Sequence, residues 1–327
     1  MNSSVNEPSC SSQLNSTAGK VGQTFAYCLL LVFSLVGNSS LGIIVYRTQA
    51  MRKPINYFVT NMAMSDLLYS IFLFPLNTAL LYTERSWLVG GGFGQALCKF
   101  PPFLSDTSTI VSIQSLVLIA VDRLGAVSFP LRSPLITPRL CPFFILATWV
   151  IAMAYHSPYL FVHKLVEYQG KLTCKMLWKE TFGDSLSLAN YFLAGFIVFI
   201  YLPIVLLAML YSNILFKLRS QAHPGEQSTN AEEQRTRRNE SVLKMAIAIV
   251  LGFVICWVPA TVTLLLHMFA WDFSVPCSAV DYVTFTMFLS YANCVINPLI
   301  CFTFSSNYRQ GLKRLIHCFS SAAVFPA

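Results

Sequence analysis

Seven separate apolar stretches, each long enough to cross a lipid bilayer, restrict this chain to very few architectures. They lie at about 24–46, 57–81, 100–121, 140–162, 189–215, 243–267 and 280–304. A helix of roughly 20 apolar residues spans the hydrocarbon core of a membrane. Apolar residues make up 55% of the chain and charged residues only 11%, whereas an ordinary soluble domain is about 25% charged. The sequence therefore predicts an all-α membrane protein, a bundle of seven transmembrane helices.

Positive charges predict the orientation of the spans, because lysine and arginine near span ends are retained on the cytoplasmic side. With the N-terminus outside, the inner segments hold fourteen of these residues and the outer segments seven, and with Arg123 at a helix end they account for all 22. We expect a multi-pass plasma-membrane protein with an extracellular tail at 1–23, the bundle at 24–304, and a cytoplasmic helix and tail at 305–327. This topology, together with contact between basic residues and anionic lipid, accounts for the net charge of +8. The charge therefore requires no nucleic-acid partner.

Four of the ten cysteines fall on the oxidising outer side, where disulfides form. They are Cys10, Cys98, Cys174 and Cys277. Four cysteines allow three pairings, which the sequence alone does not decide. We expect Cys98 at the top of the third span to pair with Cys174 in the longest outer loop, which leaves Cys10 with Cys277.

Three local features are predicted outside the spans. Residues 162–176 form two alternating runs about a Gln169-Gly170 turn, a pattern typical of a β-hairpin in the second extracellular loop. Asn2 and Asn15 each begin an N-glycosylation sequon on the outer side. After the seventh span, apolar residues at helical spacing beside a basic face predict a short amphipathic helix on the inner leaflet. Cys318 in that helix is a candidate for palmitoylation, with an unmodified thiol as the alternative.

Polar residues and prolines inside the spans carry the functional information, because a polar side chain in the membrane is costly unless it has a partner or a task. Their order along the chain is Gly37-Asn38, Asp66, Asp122-Arg123-Leu124, Trp149, Pro203 with Tyr211, Cys256-Trp257-Val258-Pro259, and Asn293 through Asn297-Pro298. Together with an outer cysteine pair, this set resembles the rhodopsin-like (class A) G-protein-coupled receptors, from Gly37 to the amphipathic tail.

The resemblance implies a receptor, not an enzyme, that binds an extracellular ligand and activates heterotrimeric G proteins by outward movement of the sixth helix. Arrestin would be a further cytoplasmic partner. No cofactor would be required, but a sodium ion would act as a negative allosteric modulator, held by Asp66, Ser112, Asn293 and Asn297. Taken without the resemblance, these residues are also consistent with a hydrogen-bonded structural network around one buried acid.

The resemblance also implies a switch near the inner face. Arg123 would be held by Asp122 at rest and released on activation to contact Tyr211 and the G protein, although an interfacial ion pair alone also explains the two charges. Pro259 removes a backbone hydrogen bond and should kink the sixth span beside Trp257. The remaining switch positions are Ile113, Pro203 and Phe253 as a packed connector, with Asn297 and Pro298 in the seventh span.

Cys301 departs from the family pattern, which places tyrosine three residues after the Asn-Pro proline. Cysteine is shorter than tyrosine and a poor hydrogen-bond former. The switch in the seventh span is therefore either weakened or carried by other groups.

The ligand class rests on few residues. Aminergic relatives carry aspartate where this chain has Ser105, and the neighbouring Asp106 is rotated about 100° away on a helix, which disfavours an amine. Tyr291 occupies the retinal-linking position of opsins, so a retinal Schiff base is excluded.

The predicted hairpin and the run from Tyr291 to Pro298 favour a peptide receptor. An amine, lipid or other small-molecule ligand remains the alternative, and a transporter a further one, although no duplicated halves are evident. The ligand-binding candidates are Asn77, Ser105, Asp106, Thr109, His267 and Tyr291.

Overall fold

The computed structural model describes residues 16–83, 86–128, 135–168, 170–183, 187–221 and 230–324. Seven helical segments in these ranges are long and apolar enough to cross a membrane, which confirms the predicted seven-helix bundle. Numbered one to seven in chain order, the spans are Thr17–Arg47, Pro54–Tyr82, Gly91–Ser128, Cys141–Val162, Leu188–Lys217, Glu240–Phe269 and Cys277–Phe304. The predicted sites at Asn2, Cys10 and Asn15 lie outside the described residues.

The helices and strands within and between these spans differ in length and type. The α-helices are Thr17–Arg47, Pro54–Tyr82, Gly91–Ser128, Cys141–His156, Tyr159–Val162, Trp178–Phe182, Leu188–Phe196, Leu202–Gln221, Asn230–Phe269, Val280–Phe304 and Ser306–Val324, with 3-10 turns at Gln49–Met51 and Cys277–Ala279. The strands are β1, His163–Tyr168, and β2, Lys171–Met176. The bundle face that carries these strands is called the outer face below, and the opposite face the inner face.

Span five contains a wider helical turn that the sequence pattern does not reveal. Ile197–Tyr201 is a π-helix, and α-helix resumes at Leu202, one residue before Pro203. Proline has no backbone N–H and its ring crowds the preceding turn, so a local widening relieves both problems. Such single π-turns redirect side chains, and this one lies against the cavity described below.

Span three is the central column of the bundle. In its most apolar stretch 61% of residues are buried, against 22% to 44% in the other six spans. It packs against spans two, four, five and six. Asn61 of span two reinforces this packing, because its amide donates to Ser115 at 2.9 Å and its oxygen accepts from the Trp149 indole at 2.9 Å. Large side chains on the outside of the bundle, among them Phe25, Phe143 and Phe285, are exposed as lipid-facing residues would be.

The predicted hairpin forms in the second outer loop. β1 and β2 pair antiparallel, with His163 opposite Met176 and Tyr168 opposite Lys171. Gly170 in the turn has φ of 74°, a left-handed conformation that favours glycine. The Trp87 backbone N–H also donates to the Leu172 carbonyl, at 2.6 Å. The hairpin is therefore held to the first outer loop as well as to its own strands.

Two further contacts tie the hairpin to the top of span three. The Gln95 side chain donates to the His163 carbonyl and accepts from the Leu165 N–H, both at 2.9 Å. The Cys98–Cys174 disulfide, with Cα atoms 5.5 Å apart, confirms that predicted pairing. Cys277 is also disulfide-bonded.

The inner half of the bundle holds the largest apolar core. Leu41, Phe58, Ile113, Leu207 and Ile249 are each nearly or fully buried in it and come from spans one, two, three, five and six. The C-terminal helix Ser306–Val324 packs against spans one and seven through Tyr308 and Leu315. The predicted helix after span seven is therefore part of the folded bundle.

Candidate functional site

Two of the outer cavities that described residues line contain predicted ligand-binding residues. The first lies between spans three, four, five and six, and Asp106 and Thr109 line it. The second lies between spans one, two and seven, and Asn77 and Tyr291 line it. The structure therefore divides the predicted ligand-binding residues between two spaces instead of placing them around one mouth.

The other two candidates lie outside both linings. Ser105 is buried, 5% exposed, and its hydroxyl finds no hydrogen-bond partner among the described residues. His267 is half-buried near the outer end of span six, and its ring makes an edge-to-face contact with Phe273 at a centroid distance of 5.6 Å. Neither side chain forms part of either cavity wall.

Asp106 is the carboxylate of the first cavity. Its Oδ2 accepts a hydrogen bond of 2.7 Å from the hydroxyl of Tyr159, at the outer end of span four. Tyr159 is 2% exposed and is held between the rings of His156 and His163, at 5.2 and 5.1 Å. Burial lowers the pKa of His163, so this ring is neutral at pH 7.

Three aromatic rings line the second cavity, those of Tyr27, Trp87 and Tyr291. Tyr27 and Tyr291 belong to a cluster with Tyr69 and Phe74 behind them, in which contacting rings have centroids 6.0 to 6.4 Å apart. Cys174 lines the same cavity, so the disulfide fixes the hairpin directly above it. This geometry suits a ligand that enters beneath the hairpin and places apolar groups on the rings.

A third, smaller cavity lies deeper, at mid-membrane, between spans two, three, six and seven. Asp66, Ser112 and Asn293 line it, and Asn297 donates to Asp66 Oδ2 at 2.9 Å. The four residues named for a sodium site thus lie together. Asn293 Oδ1 is a buried acceptor without a hydrogen-bond partner among the described residues, and such an oxygen is a ligand that a hard cation prefers.

Trp257 of span six connects these spaces. It lines both the first outer cavity and the mid-membrane cavity, and its ring stacks on Phe253 one turn below, at 6.1 Å. Phe253 and Ile113 belong to the buried inner core, and Pro203 of span five is also buried. A ligand that displaces the Trp257 ring would therefore press directly on the packing that sets the position of span six.

The inner face is in a closed arrangement. Arg123 donates to Asp122 Oδ2 from Nε at 3.1 Å and from Nη2 at 2.5 Å. The Tyr211 hydroxyl is buried and has no hydrogen-bond partner among the described residues. The Ser241 hydroxyl of span six donates to the Phe304 carbonyl of span seven at 2.8 Å. The Ser241–Phe304 hydrogen bond joins the inner end of span six to span seven.

Cys301 lies in this closed region and is fully buried. Tyr308 of the C-terminal helix lies in the same core as Cys301, is 1% exposed and donates to Asn56 Oδ1 in span two at 3.1 Å. Burial raises the pKa of Tyr308 well above its usual range, so the phenol remains a donor. A tyrosine hydroxyl is therefore present near Cys301, but it comes from a different helix.

Several of these residues have no sequence signal. Tyr159, Tyr308 and Gln95 are single polar residues that act through partners 53, 252 and 68 to 70 positions away in the chain. The aromatic residues of span five that line the first cavity also read as ordinary apolar span residues. Only Tyr159 had a local signal, because it follows Pro158, where the helix of span four is interrupted after His156.

Comparisons with known proteins match the chain along nearly its whole length. The family model described as 7 transmembrane receptor (rhodopsin family) matches residues 37–300. The RYamide receptor of Drosophila melanogaster is 31% identical over 306 residues, which cover 89% of this chain and 62% of that receptor. The QRFP-like peptide receptor of Branchiostoma floridae is 26% identical, over 89% of this chain and 76% of that receptor. The substance-K receptor of Bos taurus is 28% identical, over 90% and 75%.

Proposed function

The chain belongs to the rhodopsin family of seven-transmembrane receptors, and from this premise we propose that it binds a peptide at its outer face and activates a heterotrimeric G protein at its inner face. The relatives named above are receptors for RYamide, a QRFP-like peptide and substance K, which supports a peptide ligand. As a receptor of this family, the protein is not an enzyme.

The observation that carries this proposal is the position of Trp257. Its ring forms part of the first outer cavity and stacks on Phe253 in the inner core. Pro259 lies two residues further along the same helix, where the missing backbone hydrogen bond makes bending less costly. A ligand in the outer cavity therefore moves the inner end of span six by rotating one side chain near a hinge.

The same movement frees the residues that would contact a G protein. Displacement of span six breaks the Ser241 contact with span seven and opens the space beside Arg123. Arg123 then exchanges Asp122 for a partner in the opened space, and the Tyr211 hydroxyl, buried without a hydrogen-bond partner among the described residues, offers one. Arrestin would use the same opened face.

Ligand-dependent nucleotide exchange tests the proposal. Purified receptor in lipid nanodiscs is mixed with heterotrimeric G protein and with a panel of amidated peptides that begins with RYamide, QRFP and substance K. We expect at least one peptide to accelerate exchange, and Arg123→Gln to lower the acceleration while peptide binding is retained. Ion flux or substrate transport by the purified protein, without exchange for any peptide, would contradict it.

We infer that the protein lies in the plasma membrane with its N-terminus on the extracellular side. The excess of lysine and arginine on the inner segments supports this orientation, as does the Cys98–Cys174 disulfide, which needs an oxidising compartment. Asn2 and Asn15 would then carry glycans. On the inner side, Cys318 would be palmitoylated, which its exposure supports. The basic residues of the C-terminal helix would contact lipid headgroups.

We also propose that a sodium ion stabilises the resting state. Asp66, Ser112 and Asn293 supply the oxygen ligands that sodium prefers, and the Asn293 oxygen has no hydrogen-bond partner among the described residues. The ion would neutralise Asp66 in the interior. Sodium should then weaken agonist binding in wild-type receptor and have no effect in Asp66→Asn. An equal sodium effect in both forms, measured against potassium at the same ionic strength, would point to general screening instead.

A further inference from the structure

The first outer cavity combines aromatic walls with a single acidic group. Six rings line it, from Tyr155, His156, Phe192, Phe196, Phe199 and Trp257. Asp106 is the one carboxylate among the residues that line it, and neither lysine nor arginine is among them. A space of this kind favours a group that carries positive charge on a flat, weakly hydrated surface.

The carboxylate of Asp106 is held in place but is only half satisfied. Oδ2 accepts from the Tyr159 hydroxyl, and no hydrogen bond reaches Oδ1 from any described residue. Tyr159 is itself fixed by ring contacts on two sides, with His156 and His163. The acceptor is therefore preorganised by a rigid support, which lowers the entropic cost of binding.

The Asp106 carboxylate also has no ion-pair partner among the described residues. In the hairpin above, Lys164 is paired with Glu180 at 2.6 Å, and the Lys175 ammonium lies 3.7 Å from the centroid of the Tyr168 ring. The neutral His163 ring supplies no charge either. A half-buried carboxylate is costly without a partner, so a ligand cation would complete the site.

We propose that the cavity between spans three, four, five and six binds a guanidinium group of the ligand, an arginine side chain, with Asp106 as its partner. The assignment rests on the peptide ligand proposed above and adds the chemistry of the residue that enters the cavity. A guanidinium fits both features, because it donates two parallel hydrogen bonds to a carboxylate and stacks on aromatic faces. This site differs from an aminergic one, where the carboxylate would stand at Ser105.

Two substitutions separate charge from support. Asp106→Asn keeps an oxygen that accepts from Tyr159 but removes the negative charge. Tyr159→Phe removes the supporting hydrogen bond and keeps the charge. If Asp106 serves only to hold Tyr159, the first change is harmless and the second is damaging, whereas a cation site predicts the opposite order.

Small probes test the site without any signalling step. Purified receptor is titrated with acetyl-Arg-Tyr-amide and with acetyl-citrulline-Tyr-amide, which has the same shape but no charge, and affinity is measured from thermal stabilisation. We expect the arginine probe to bind wild-type receptor roughly 10- to 100-fold more tightly than the citrulline probe, as for loss of a charge-assisted hydrogen bond. Asp106→Asn should abolish this preference, and Tyr159→Phe should keep most of it.

Equal affinity of the two probes for wild-type receptor, no stabilisation by either, or a preference that survives in Asp106→Asn would overturn the assignment. None of these results bears on nucleotide exchange, so the receptor proposal is tested separately. Conversely, a charge-dependent preference in a receptor that never activates a G protein would keep the site and refute the proposed signalling.

Discussion

Cys301 is the side chain whose environment departs most from what its family position implies. It is fully buried in the inner core of the bundle, where nothing requires it to form a hydrogen bond. The nearby phenol of Tyr308 is instead directed at Asn56 of span two. The resting arrangement is thus packed around a small thiol, and the size of this residue matters as much as its polarity.

Cys301→Tyr should therefore raise basal signalling. A tyrosine ring is too large for the site, and overpacking costs about 1–3 kcal/mol. If outward movement of span seven relieves the overpacking, this cost falls on the resting state alone and lowers its stability relative to the active state. Basal second-messenger output at matched surface expression measures the effect. Cys301→Ala, which fits the same space, is the control. Identical basal and stimulated output from Cys301→Tyr and wild type would refute the prediction.

Gly37 is a second position where the size of the side chain matters, because span one packs closely against span seven there. A Cβ atom at this position would lie 2.8 Å from Pro298 Cγ and 2.9 Å from Pro298 Cβ, closer than real carbon contacts. Gly37→Ala should lower the free energy of unfolding by about 1–3 kcal/mol. Gly22→Ala is the matched control, since a Cβ there meets nothing within 4 Å. Equal thermal stability of the two variants in detergent would show that the spans separate without cost.

Among the helices, the one after span seven is fixed more firmly than an amphipathic helix resting on lipid requires. Tyr308 and Leu315 are buried against the bundle, and the Tyr308 hydroxyl reaches span two. The contact links the C-terminal helix to Asn56, whose amide donates to the Met51 carbonyl in the first inner loop. One buried network thus joins three inner segments.

Tyr308→Phe should weaken this link while the ring stays packed. Loss of one buried hydrogen bond, with Asn56 Oδ1 left unsatisfied, costs about 1 kcal/mol, roughly fivefold in an equilibrium constant. Thermal unfolding of the unliganded receptor measures it, with Tyr46→Phe as the control because Tyr46 is 78% exposed. If a Tyr308/Asn56 double-mutant cycle gives no coupling energy, the hydrogen bond contributes nothing to stability.

At the scale of the whole molecule, the Cys98–Cys174 disulfide is the covalent bond that holds the hairpin above the outer cavities. The Cys98–Cys174 disulfide closes a segment of 76 residues, which in the chain-entropy model stabilises the fold by about 4 kcal/mol. Because the hairpin covers both the top of span three and the second cavity, its loss would affect folding and ligand access together.

Cys98→Ser and Cys174→Ser should each reduce the amount of folded receptor at the surface, and the double variant should be no worse than either. The two thiols form one bond, so their effects cannot add. Surface immunolabelling and thermal stability measure this. Cys28→Ser is the control, since Cys28 is free and exposed. A double variant markedly worse than both single variants would mean that each cysteine has a separate role.

Much of the architecture could be predicted from the sequence, because each feature is local to one segment. The seven spans, the hairpin and the C-terminal helix follow from hydrophobic length and periodicity, which a helix or strand expresses on its own. The order of Asp66, Arg123, Trp257 and Asn297 along these spans indicated the family. Most helices extend beyond the predicted ends of their spans, and span three begins at Gly91 and not near residue 100. The apolar stretch marks only the part of a helix that lies in the hydrocarbon, and the helix continues beyond it.

The arrangement of the binding region came from packing alone. Asp106 and Tyr291 both look like mouth residues in the sequence, yet they line different cavities, since the rotation and tilt of a span depend on its neighbours. Tyr159 and Tyr308 likewise acquire their partners from segments 53 and 252 residues away. Composition determines that a helix crosses the membrane, whereas the contacts between helices determine which polar groups meet within it.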